Sequence, residues 1–101
     1  MKLGILLTTT PENENTNTVI EISRTARAQG HEVSIFLMYE GVYNVNKKEF
    51  AALVDNGVSI TVCAMNADQR NVGKVERILF GSQYDHACIA QNVDRLISFG
   101  G

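Results

Sequence analysis

Three short apolar runs, each followed by a stretch with helical spacing, constrain this chain more than any other feature. The runs are "LGILLT" at 3–8, "EVSIFLMY" at 32–39 and "VSITVCA" at 58–64. Each reads as a buried strand. Between the first two, the polar "TTPENENTN" holds the single proline, Pro11, and reads as a loop. From Asn17 the period changes. Val19, Ile22, Ser23 and Ala26 share one helical face, and Gly30 is the expected stop. Between the second and third runs, "EGVYNVN" reads as a loop. Asn46 and Glu49 have capping-box spacing ahead of a helix that carries Phe50, Leu53 and Val54 and ends at Gly57.

The pattern continues beyond the third run. Asn66 and Gln69 repeat the cap spacing and predict a short helix near 67–72. "RILFG" at 77–81 is a brief fourth strand. Ser82 and Asp85 cap a helix running to about Asn92, and "RLISF" at 95–99 is a last strand. Strand and helix alternate almost throughout, which argues for an α/β fold. The expectation is a single compact layered sandwich, with a mostly parallel sheet of about five strands flanked by helices on both faces. One domain over residues 1–101 fits this length.

Composition narrows the function. Hydrophobic residues make up 45% of the chain, enough for a core, and the net charge is −2 with both signs mixed along the sequence. No basic stripe suits a phosphate backbone, so no nucleic-acid partner is expected. No apolar run approaches the ~18 residues of a membrane span, so no membrane partner is expected. The opening "MKLGILLTTT" is too short in its apolar part for an export signal. Two cysteines, Cys63 and Cys88, make no disulfide framework, and a cytoplasmic chain with reduced thiols is expected. With no Cys-x-x-Cys pair and only His31 and His86 as histidines, no metal site is expected.

In a parallel sheet, reactive groups sit beyond the carboxyl ends of the strands. Cys63 lies there. It is either a small apolar side chain closing a strand or a working thiol. A thiol reacts as its thiolate, and the free N–H groups of a helix start lower its pKa. Cys63 precedes the expected cap Asn66 by three residues, and Arg70, one turn into the helix, would add positive charge. Cys88, between Ala87 and Ile89, reads as core packing. Its functional alternative is a resolving thiol for Cys63, which needs Cα atoms within about 7 Å. His86 and His31 read as structural or surface residues, and a Cys63–His86 pair requires a tertiary contact.

Two loops invite other chemistry. "TTTPENENT" stands where a phosphate or flavin would be held, but it has no glycine, and Glu12 and Glu14 repel anions. A solvated loop is the better reading. "GVYN" at 41–44 puts a glycine for a tight turn beside Tyr43, which is either a lid on the core or a contact beside the thiol.

These residues, taken together, resemble the DsrE/DsrF-like family, which includes the TusD-type subunits of sulfur-relay complexes. The resemblance rests on "GHEVSIFLMYEGVYNV" at 30–45, "LVDNGVSITVCAMNADQRNV" at 53–72 and "DRLISFG" at 94–100. It implies a persulfide carrier without metal or organic cofactor, in which Cys63 accepts sulfane sulfur from one protein and gives it to another. N–H groups near Asn66, Ala67 and Asp68 would steady the thiolate, with Arg70 assisting and Tyr43 and Asn44 lining the pocket. Homo-oligomers, trimers or hexamers, are also implied, with Val42, Val45, Met65 and Phe80 as interface candidates. Two other functions fit the residues: an oligomeric small-ligand-binding module in which Cys63 only packs, and a redox sensor built on Cys63 and Cys88.

Overall fold

The computed structural model describes residues 1–100. Its strands are β1 (Lys2–Leu7), β2 (Glu32–Leu37), β3 (Ser59–Cys63), β4 (Leu79–Gly81) and β5 (Arg95–Phe99). They form one sheet in the order β4-β3-β2-β1-β5, and every neighbouring pair is parallel. The expected α/β architecture is present.

The first helix, α1 (Glu14–Ala28), starts three residues before Asn17. The amide-rich loop is the reason: Asn13 is the N-cap, and its side chain accepts a hydrogen bond from the Asn15 N–H at 2.8 Å. Thr16, Val19, Ile20, Ser23 and Ala26 form the buried face, while Ile22 is half-buried. Gly30 adopts φ +84° just past the last turn, as a helix stop requires.

The stretch after β2 differs from the expected loop. Tyr39–Asn46 is a 3₁₀ helix. Its three-residue turn brings Val42 and Val45 to the same side, and both are buried, at 0% and 3% exposure. These two valines therefore belong to the core, not to an interface. Gly41 is buried, and a Cβ there would overlap the Leu7 carbonyl, so the glycine serves close packing as well as a turn. Asn46 caps nothing: α2 (Lys48–Ala51) begins after Lys47 without a side-chain cap. A 3₁₀ turn (Ala52–Asn56) follows, and Gly57 closes it at φ +86°. Phe50 and Leu53 are buried as expected. After β3 comes α3 (Ala64–Gln69), then β4, then α4 (Gln83–Asn92). The capping box of Ser82 and Asp85 is present, with the Ser82 N–H donating to Asp85 Oδ2 at 2.8 Å.

The sheet has a thick side and a thin side. Leu3, Ile5, Leu7, Val33, Ile35, Leu37, Ile60 and Val62 point to one face and pack with Val19, Ile20, Phe50 and Leu53. The alternate residues, including Gly4, Leu6, Ser34, Phe36, Thr61 and Cys63, point to the other face. There α4 lies against β1 and β2. No residue of α4 is fully buried, and β5 is exposed along all but its last residue.

Candidate functional site

Strand order fixes where a ligand can enter. From β1 to β4 each crossover steps the same way, so right-handed connections keep α1, α2 and α3 toward one face. From β4 the chain steps back past β1 to β5, which sends α4 to the opposite face. The segments leaving β3 and β4 thus diverge, and a crevice opens between their carboxyl ends. Cys63 and Gly81 are register partners at that point. A cavity of about 510 Å³ lies there, lined by Met38, Tyr39, Cys63 to Asn66 and Gly81 to Gln83.

Cys63 is 5% exposed, and its Sγ lies 3.9 Å from Gln83 Nε2. It is itself the N-cap of α3, with Ala64 the first helical residue. The expected cap, Asn66, instead sits in the first turn, because the strand passes into the helix without an intervening loop. Helix geometry leaves the N–H groups of the first turn unpaired, up to Asn66, whereas those of Ala67 and Asp68 lie inside the ladder. Ala67 is buried beneath the helix and Asp68 is exposed. The Asn66 side chain has another task. Its Oδ1 accepts the Tyr39 N–H at 2.7 Å, and Tyr39 holds a left-handed φ of +51°. A non-glycine residue in that region costs of order 1–3 kcal/mol. Strain thus sits on the wall of the Cys63 cavity, held by a residue of α3.

Arg70 does not present a free charge to the sulfur. Its guanidinium binds Glu40 Oε1 at 2.7 Å from Nη2 and 3.1 Å from Nε. The hydrogen bond to Glu40 holds Arg70 above its ordinary value, against the opposing effect of desolvation, with smaller contributions from Tyr43 and Cys63. The same bond holds Glu40 below the usual carboxylate range.

Neither Tyr43 nor Asn44 lines the Cys63 cavity. Tyr43 lines a separate cavity of about 430 Å³ with Thr10, Pro11, Glu12, Asn46 and Lys47. Asn44 is fully buried and joins three segments. Its Oδ1 accepts from Thr16 Oγ1 at 2.6 Å, and its Nδ2 donates to the Thr9 and Gly41 carbonyls at 2.9 Å each. It organises the loops after β1 and β2. Cys88 is half-buried and faces Lys2, Glu32, Ser34 and Val93 in a third cavity. Both cysteines are free thiols.

The residue that sequence reasoning missed is Gln83. Its Oε1 meets His86 Nδ1 at 3.1 Å while its Nε2 meets Cys63. His86 in turn stacks on Phe36, with ring centroids 5.1 Å apart and planes 16° apart. Half of the signal was in the sequence: Ser82 was readable as a cap, which makes Gln83 the first helical residue after β4, but the pairing of β4 with β3 that brings it to Cys63 was not. Of the remaining interface candidates, Met65 is 69% exposed and Phe80 is half-buried against the core. Among the described residues no three His, Cys, Asp or Glu side chains gather as a metal site, and no helix is long and apolar enough to cross a membrane.

Comparison with known proteins bears on this geometry. The chain is similar to the YchN protein of E. coli, whose crystal structure superposes with a TM-score of 0.80 at 13% identity, covering 97% of each chain. It is similar also to BT1422 of Bacteroides thetaiotaomicron, a conserved protein of unknown function, with a TM-score of 0.79 at 17% identity over 97% of this chain and 94% of that one. No curated protein sequence matches. Likeness at such identities speaks for the fold alone. The sequence itself matches the DsrE/DsrF-like family over residues 1–99, and the chain belongs to that family.

Proposed function

We propose that the protein carries sulfane sulfur on Cys63 as a persulfide. The observation that carries this reading is the place of Cys63, which lines the crevice cavity between β3 and β4, in a chain of a family linked to sulfur relay. The Cys63 thiolate attacks the outer sulfur of a donor persulfide. The new S–S bond forms at Cys63 as the donor's S–S bond breaks, and the donor leaves as a thiolate. An acceptor thiolate then takes the outer sulfur and returns Cys63 to its thiolate. Nothing is oxidised or reduced overall, and no cofactor enters. Rates follow thiolate fraction and access. A reducing compartment, the cytoplasm, suits such traffic.

The partners are a donor and an acceptor protein, together with further copies of this chain in a trimer or hexamer. Exposed Tyr39 and Met65 at the cavity mouth, and exposed Leu96 and Ile97 on β5, supply apolar surface for such contacts.

Intact mass in a Cys88→Ser background tests the carrier. Incubation with a persulfide donor should add one sulfur, about 32 Da, and Cys63→Ser should abolish the gain. No gain on a folded protein removes the relay reading. A loss of two hydrogens in the wild type, requiring both cysteines, would support the redox sensor instead.

A further inference from the structure

We infer that Gln83 is a positioning residue for Cys63, directing an N–H at its sulfur under the influence of His86. The inference deepens the carrier reading and rests on Cys63 being a working thiol.

The geometry sets the roles. A side-chain amide has one acceptor end and one donor end. Gln83 turns its NH₂ toward Cys63 Sγ, at 3.9 Å, which leaves its oxygen to accept on the other side. Nδ1 of His86 is the group there, at 3.1 Å. In the tautomer that completes these contacts Nδ1 carries the hydrogen, and Nε2 is the position where the ring gains or loses a proton. His86 follows Gln83 by three residues, so both lie on one side of α4. Phe36, fully buried in β2, stacks on the imidazole and fixes its plane. The result is a sequence of contacts from a buried aromatic, through an imidazole and an amide, to a sulfur.

The sequence of contacts favours the charged form of sulfur. A donor N–H stabilises a thiolate and does little for a thiol. When His86 gains a proton, its Nδ1–H pulls harder on the amide oxygen, and the amide N–H becomes a stronger donor. Other titratable groups stand around the sulfur. Glu40 from the 3₁₀ stretch and Arg70 after α3 are paired with each other. Asp85 of α4 holds the Ser82 N–H. Tyr39 lines the same cavity as Cys63. Against His86 itself pack Phe36 of β2 and Gln83 of its own helix. His86 is the imidazole of this set, the side-chain type whose charge changes nearest neutral pH.

The test is the pH dependence of Cys63 alkylation by iodoacetamide, an uncharged probe, in a Cys88→Ser parent. The parent should show the thiol titration and a second, smaller inflection that belongs to His86. Gln83→Glu places a carboxylate beside the thiolate, and the rate at pH 7 should fall about tenfold, the effect of one pKa unit. His86→Phe keeps the stacking on Phe36 and should lose the second inflection. Gln83→Met, similar in length and without a donor, serves if the glutamate variant fails to fold, and should also slow the reaction. Folded Gln83 variants whose profiles superimpose on the parent overturn the inference. Sulfur loading, read by mass on the same proteins, separates the two readings. Profiles that respond to Gln83 without sulfur uptake keep the positioning role and remove the carrier. Uptake with profiles indifferent to Gln83 does the reverse.

Discussion

Single residues explain why the crevice has the character it does. Arg70 was legible as a cation near the thiol, but its pairing with Glu40 was not, because the two lie thirty positions apart in sequence. That pair makes a prediction. The folded-state carboxyl of Glu40 is held down, so its contribution to stability is present above the ordinary carboxylate range and is lost as pH falls through the lowered value. Thermal melting of wild type and Glu40→Gln should therefore differ near neutral pH and converge once the pH has fallen through the lowered Glu40 value. A constant gap across that range would show that the pair contributes nothing through ionisation. Asn44 gives a contrasting case. As an amide beside an aromatic in "GVYN" it looked like a pocket residue, yet it spends all three of its hydrogen bonds on the scaffold. Sequence shows that an amide is present, not whether its partners are water or backbone.

At the scale of elements, the strands were readable because buried parallel strands leave dense apolar runs, and "LGILLT", "SIFL" and "ITVC" are such runs. The capping box at Ser82 and the stops at Gly30 and Gly57 were readable because each needs a particular residue for a backbone reason. The 3₁₀ stretch was not. Its valines at i and i+3 serve a three-residue turn, a spacing that an ordinary loop also permits. The start of α3 was misplaced because Asn66 had the right spacing for a cap, while its side chain is engaged by Tyr39. Helix α4 carries a prediction of its own. It buries no residue completely and covers the thin face alone. Few buried contacts mean a low cost of local opening. Amides of α4 should exchange with deuterium far faster than those of β1 and β2. Equal protection of the helix and the central strands would contradict that picture.

For the molecule as a whole, the parallel α/β plan followed from element order, but the strand order did not. Nothing in "RLISF" says that the last strand returns past β1 rather than extending beyond β4. The crevice depends on that return, so the surroundings of Cys63 were hidden even though Cys63 itself was not. The same order governs assembly. A parallel sheet normally has both faces covered, and β5 is exposed on both. The proposed trimer or hexamer should sediment at three or six times 11.1 kDa. A single-chain mass at micromolar concentration would remove that part of the proposal.

The strand order has one further consequence. The β3–β4 crevice and the β5 edge lie toward opposite ends of the sheet, roughly 15 Å apart at the usual strand spacing. Copies joined along β5 would turn their sulfurs away from one another. Each thiol would then fill and empty on its own schedule, and the assembly would act as a set of separate berths with no traffic between them.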